Sequence, residues 1–267
     1  MAENIPQVPV LAVASGKGGV GKTTVAVNLA LALAARGIRV GLVDADLYGP
    51  DVARMMGLRR AADAASVTVF SRAGTPSARL EPVRRHGVQL VSAAFLMGEN
   101  QALSVQAPVA QLLVRRLLAD TVWEDPGCLV IDLPPGTADI QQFVFAWPPG
   151  HLHVLVVVTP QVVAHQDVRR LVATLSRLRA DVVGGVENMS GFLCPHCGQT
   201  AAMFPAAPER EDVWDLIPKL AAVPFSPQAA LDADQGSPVL LTGSVPEQVS
   251  AYRGLAEMVQ QRFITGT

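Results

Sequence analysis

The sequence predicts a doubly wound α/β fold, a mostly parallel sheet with helices on both faces, and three observations carry that expectation. Short runs of continuously apolar, largely β-branched residues recur along the 267-residue chain. Helical periodicity fills the stretches between them. A glycine-rich turn joins the first such run to the first helix. Continuously apolar strands are buried on both sides, which a parallel sheet covered by helices provides.

The elements follow in order. Residues 8–14 read as the first strand, and 24–35 as a Leu/Ala-rich helix closed by Gly37. Further strands are expected at 40–43, 88–91, 129–131, 154–158 and 182–186, with a weaker one at 220–223. Helices are expected at 108–119, 138–146, 166–178 and 245–263, and a short one at 52–56 with Asp51 as its cap. Residues 59–85, rich in Ala, Ser, Arg and Pro, read as an irregular excursion or short β-ribbon, and 191–208 as an aperiodic loop. With no linker-like stretch and no internal repeat, residues 1–267 are expected to form a single domain, with a cysteine-bearing loop at about 189–208.

Composition excludes several classes. A formal charge of −2 and a pI near 6.2 give no basic footprint for nucleic acid. The longest uncharged stretch, 140–166, is interrupted by Pro148, Pro149 and Pro160 and carries His151, His153 and His165, which argues against a membrane-spanning helix. The first residues lack a basic region followed by an apolar core, so no secretory signal is expected, nor a small domain ahead of the glycine-rich turn. Three cysteines, two of them three positions apart, suit a reducing compartment. A cytoplasmic protein without membrane or nucleic-acid partners is the expectation.

Gly16-Lys17-Gly18-Gly19-Val20-Gly21-Lys22-Thr23 fits G-x-x-x-x-G-K-[ST], a phosphate-binding loop. Its glycines let the backbone wrap phosphates, and its place before a helix directs amides and the positive dipole end at the anion. Lys22 is expected to span the β and γ phosphates, Thr23 to ligate Mg²⁺, and Thr24 to continue the cradle. An ordinary loop of this kind needs no cation at its second position, so Lys17 either reaches toward a nucleotide or is a solvated surface lysine. In Leu42-Val43-Asp44-Ala45-Asp46-Leu47-Tyr48-Gly49-Pro50-Asp51, a strand ends in two aspartates before a Gly-Pro turn, placing carboxylates where Mg²⁺ and an attacking water would sit. Asp132, at the tip of a second apolar strand, is expected to bind Mg²⁺ through water, with Gly136 close by. Asn188 follows the 182–186 strand and offers an amide able to pair with an adenine edge, or simply a turn residue. Cys194-Pro195-His196-Cys197 brings two thiols to chelating spacing, whereas Zn²⁺ or a [4Fe–4S] cluster takes four ligands. Two copies of the chain about a symmetry axis would supply four. A reducible thiol pair is the competing reading, and Cys128, before a core strand, reads as buried filler.

Taken in order and spacing, GKGGVGKTT, DADLYGPD, VIDLPPGTADIQ, VVVTPQ and VENMSGFLCPHCG resemble the Mrp/ApbC family of iron–sulfur cluster carrier ATPases. The resemblance covers nearly the whole chain. It implies a cytosolic homodimer that binds and slowly hydrolyses ATP, holds a labile [4Fe–4S] cluster between subunits, and delivers it to apo iron–sulfur proteins. By that match residues 16–24 bind nucleotide, Lys17 reaches the facing subunit's nucleotide, Asp46 orients water and touches Mg²⁺ through it, and Asp132 holds Mg²⁺. Asn188 then reads adenine, and Cys194 and Cys197 hold the cluster. The chain departs from the family pattern at Met203-Phe204-Pro205-Ala206-Ala207-Pro208, which lacks the usual glycines, at Val105-Gln106-Ala107-Pro108, and at Ala138 in place of Gly. Two neighbouring classes stay open: a targeting ATPase stapled by Zn²⁺, and a positioning ATPase of the cell-division or partition type. The first calls for a Met-rich groove, but the seven methionines are scattered. The second calls for a basic amphipathic tail, and residues 245–263 hold only Arg253 and Arg262 as cations.

Overall fold

The computed structural model describes residues 7–58, 79–96, 107–136, 139–146, 152–205, 208 and 211–264. Strands β1 (Val10–Ala14), β2 (Val40–Asp44), β3 (Val83–Arg85), β4 (Val88–Ser92), β5 (Cys128–Asp132), β6 (Leu152–Val158), β7 (Asp181–Leu193), β8 (Thr200–Ala201) and β9 (Lys219–Phe225) form one sheet. Its order is β3-β4-β2-β5-β1-β6-β7-β8, with β9 also paired to β7. Every pairing is parallel except β3 with β4 and β7 with β8. The expected doubly wound α/β architecture is what the chain adopts.

The two-residue period of a strand divides the core. Leu11 and Val13 point to the face covered by α1 (Lys22–Ala35) and α8 (Pro246–Val259), while Val10, Ala12 and Ala14 point to the face covered by α3 (Ala107–Ala119), α4 (Asp139–Phe145) and α5 (Val162–Arg177). Helix α1 is buried without interruption from Val25 to Leu33, because the sheet lies on one side of it and α8 on the other. That explains why its apolar residues show no single stripe. Among the described residues no helix is long and apolar enough to cross a membrane.

Several boundaries differ from the expectations. Helix α1 begins at Lys22 rather than at residue 24, and α5 begins at Val162, a turn earlier than periodicity indicated, directly after Pro160-Gln161. The strand expected to stop at 186 continues as β7 to Leu193, because the supposedly aperiodic loop folds back at β8 and pairs Phe192 with Ala201 and Leu193 with Thr200. Among the described residues, short helices α2 (Val52–Met55), α6 (Pro227–Asp234) and α7 (Val239–Thr242) are also present, and the last two were not anticipated. Asp51 precedes α2 in a helical conformation and its side chain makes no capping bond, which corrects the expected cap. Of the expected ribbon at 59–85, residues 79–85 are described, with β3 paired to β4; residues 59–78 lie outside the described residues. Val105, Gln106, Ala138, Ala206 and Ala207 lie outside them too.

Candidate nucleotide site and cysteine hairpin

The loop between β1 and α1 bends through two left-handed residues, Gly19 at φ 75° and Gly21 at φ 89°, which a side chain would strain. Ser15 Oγ donates to Lys17 O at 2.7 Å, tightening the entry to the turn. Gly18 and Gly19 are exposed, Thr23 and Thr24 half-buried, and Val20 is buried as an anchor. No side chain caps α1 and no acid lies in its first turn, so its leading amides face the loop unopposed. Lys22 begins the helix at 6% exposure. Burial lowers its pKa, against the pull of Asp132 and Asp46.

Two carboxylates stand at neighbouring strand tips, since Asp44 ends β2, Asp132 ends β5, and the two are register partners. Asp44 is fully buried and accepts from Ser92 Oγ at 2.7 Å and from the Asp46 amide at 3.3 Å. Burial first, and then the Asp132 charge, push its carboxyl well above the ordinary range. Asp132 is 1% exposed, and neither carboxylate oxygen has a hydrogen-bond partner. Burial pushes it up to about 7, opposed by the nearby Thr23 hydroxyl and by Lys22. Asp46 is half-buried and accepts from the amides of Tyr48 and Gly49, both at 3.2 Å, so it organises the turn that follows; burial raises its pKa. An unpartnered buried carboxylate beside a threonine hydroxyl is the hard-oxygen donor set that Mg²⁺ takes, and the residues present fit that ion.

Asn188, in the middle of β7, is 7% exposed and donates from Nδ2 to Val20 O at 2.8 Å. Its nitrogen therefore braces the phosphate loop, a role the sequence did not suggest, and that bond leaves its carbonyl oxygen and second N–H unused. The next residue, Met189, takes a left-handed φ of 55°, and the pairing of β7 with β9 shifts between Asn188 and Phe192. Beyond this irregularity β7 runs into the hairpin that carries the cysteines. Cys194 N donates to Gln199 O and Gly198 N donates to Cys194 O, both at 2.9 Å, closing a tight tip. Cys194 is half-exposed and Cys197 exposed. The Cys197 and His196 amides, with the Cys197 side chain, lower the pKa of the Cys194 thiol. Among the described residues no group of three or more His, Cys, Asp or Glu could hold a metal ion, so one chain presents two thiols there and no more. Cys128 is the buried filler expected, 2% exposed, with burial pushing its thiol up to about 12.

The fold thus brings Lys22, Thr23, Asp44, Asp46, Asp132 and Asn188 to one rim of the sheet and sets Cys194 and Cys197 apart at a hairpin tip. Lys17 is half-buried and donates from Nζ to Gln161 Oε1 at 2.8 Å. Ser92 and Gln161 escaped the sequence reading. Gln161 lies in the quoted VVVTPQ, and nothing local tied it to a residue 144 positions earlier.

A family model described as ParA, NUBPL iron-transfer P-loop NTPase, matches residues 7–260. The iron-sulfur cluster carrier protein of Helicobacter pylori is 36% identical over 252 residues, covering 94% of this chain and 65% of that protein. Its counterpart in Haemophilus influenzae is 38% identical over 252 residues, with the same shares covered. The chain therefore spans 65% of the length of these relatives. A nucleotide-binding protein of Archaeoglobus fulgidus, solved with ADP, superposes with a TM-score of 0.67 at 29% identity, over 91% of this chain and 89% of that one. With the match running from before the phosphate loop to beyond the cysteine hairpin, the chain belongs to the family of NUBPL iron-transfer P-loop NTPases.

Proposed function

We propose that this chain is an ATP-hydrolysing carrier of a labile [4Fe–4S] cluster, held between two copies and handed to apo iron–sulfur proteins in the cytoplasm. One observation carries the reading: β7 bears Asn188, bonded to the phosphate loop, and leads from Leu193 directly into the hairpin that carries the thiol pair. Because a single strand joins the two sites, we take the chain as one working domain. The cluster is cargo, and two copies are needed because each offers two thiols.

The residues divide the chemistry as follows. Residues 16–24 wrap the phosphates, and Lys22 places its ammonium against the β and γ oxygens. Thr23 and Asp132, the latter through water, would hold Mg²⁺, which would supply neutralisation of the charge developing on those oxygens, and Asp46 would position the attacking water and touch the hydration shell. Lys17 completes the facing copy's site, so bound ATP favours a closed pair and loss of the γ phosphate relaxes it. Asn188 turns its remaining oxygen toward the adenine amino group, and Cys194 and Cys197 grip the cluster.

The test is Lys22→Ala after anaerobic reconstitution. Iron and sulfide content stays near that of the unmodified protein, while transfer to an apo-acceptor falls by at least about tenfold, as expected when a phosphate-binding cation is lost. Equal transfer rates sink the coupling, and zinc without sulfide at the cysteines sinks the cargo assignment.

A further inference from the structure

Lys17 is not loose in this structure. Its Nζ donates to Gln161 Oε1 at 2.8 Å, across 144 residues of sequence. Gln161 is the residue that precedes α5, with φ −65° and ψ 134°, and its side chain makes no capping bond to its own helix. Its amide oxygen is therefore available to Lys17, while its backbone carbonyl accepts from the Ala164 and His165 amides and fixes its position.

The neighbourhood keeps this pair together. A Cβ added to Gly16 would lie 2.5 Å from the backbone carbon of Asp167, so the loop rests directly against α5 with no room for a side chain. Asp167 itself is paired with Arg170 on the same helix. Helix α5 is anchored from outside as well: Val213 N donates to His165 Nδ1 at 3.2 Å, Gln166 Nε2 to Glu211 Oε2 at 2.7 Å, and Arg169 Nη1 to Asp215 Oδ1 at 2.7 Å. Gln161 thus sits on a fixed support and does not travel with a lysine that leaves.

We propose that Gln161 is a positioning residue that holds Lys17 on its own subunit, and that this bond is given up when Lys17 turns to the nucleotide of a second copy. The inference rests on the reading that Lys17 acts across the pair, and adds to it a resting state with a defined partner. A neutral amide is suited to the task. It satisfies the half-buried ammonium with one hydrogen bond, whereas a carboxylate at the same place adds Coulombic attraction and holds the lysine back. Gln161 thereby sets how much protein is needed before nucleotide draws two copies together.

The experiment measures self-association by sedimentation with Mg²⁺ and a non-hydrolysable ATP analogue. Gln161→Ala removes the resting partner and tightens self-association about fivefold, the scale of two weak part-exposed hydrogen bonds, one given up in each copy. Gln161→Glu weakens it about fivefold at low salt, and about 0.5 M salt returns it toward the unmodified protein. A purely structural role would move both variants the same way and without salt dependence. Identical behaviour of both variants and the unmodified protein, or shifts of one sign, overturn the proposal. Lys17→Ala separates the two levels. If it self-associates like the unmodified protein, the action of Lys17 across the pair falls. If it stays monomeric while both Gln161 variants match the unmodified protein, only the resting bond falls. The double variant Lys17→Ala with Gln161→Ala behaves as Lys17→Ala alone; any further tightening counts against the proposal.

Discussion

Replacing Asp132 with Asn is expected to make the ligand-free protein more stable while disabling it. Both oxygens of Asp132 are buried without a hydrogen-bond partner, and the carboxyl is pushed from 3.8 to about 7, chiefly by burial. A carboxyl raised in the fold prefers its protonated form. Below the unfolded value near 3.8 the group costs nothing. As pH rises the folded state loses stability relative to the unfolded chain, and the loss is complete once pH passes about 7. At about 1.36 kcal/mol per pH unit that interval amounts to about 4 kcal/mol. Relaxation around the charge and the burial of the replacing amide reduce the net gain from Asp132→Asn to about 2 kcal/mol, or about 6 °C in Tm. Urea unfolding of nucleotide-free protein in EDTA reads this directly: the variant is more stable at pH 8, and its advantage shrinks at pH 4.5. Mg²⁺ with ATP then reverses the order, because the cation repairs the charged site and an amide offers it one neutral oxygen. A variant no more stable at pH 8, or an advantage independent of pH, would refute the view that this carboxylate is an interior charge that Thr23 and Lys22 compensate only in part.

Asn188→Ala deletes the bond to Val20 O at 2.8 Å and leaves a loop carbonyl unpaired. Thermal unfolding should show a loss of about 1–2 kcal/mol, and calorimetric ADP binding a drop of about tenfold; unaltered affinity means the loop holds its shape without the brace. For Cys128, a thiol reagent at pH 8 should label Cys194 and Cys197 in the folded protein and reach the third thiol only after denaturation. The thiol is raised from 9.0 to about 12, so its share of stability is intact below pH 9 and is lost as pH climbs toward 12. Cys128→Val should flatten that alkaline decline, and an equally steep decline would assign it to other groups.

What could be read from the sequence was what is local. The phosphate loop needs only eight consecutive residues, and Asp44 and Asp132 each end a run of apolar residues, so strand tip and chemistry are visible together. The extension of β7 was hidden because Gly191, Pro195 and Gly198 look like loop, whereas the pairing that makes Phe192 and Leu193 a strand comes from Thr200 and Ala201. The early start of α5 was hidden because Pro160 suggested irregular chain, yet Gln161 after it is extended and the helix forms at once. Helix α6 was missed because, of its eight residues, only Asp232 is buried, which leaves no apolar stripe to detect. The bonds of Lys17 to Gln161 and of Asn188 to Val20 join positions 144 and 168 residues apart, and one sequence does not encode such distances legibly.

Strand β7 has 13 residues where most of its neighbours have five to seven, and the surplus leads away from the rim where the phosphates are gripped. From Asn188 to Cys194 the chain extends at most about 20 Å at 3.3 Å per residue. If the cysteines hold a cargo as proposed, they hold it at arm's length from the nucleotide loop, so that exchange at the tip does not itself require that loop to open.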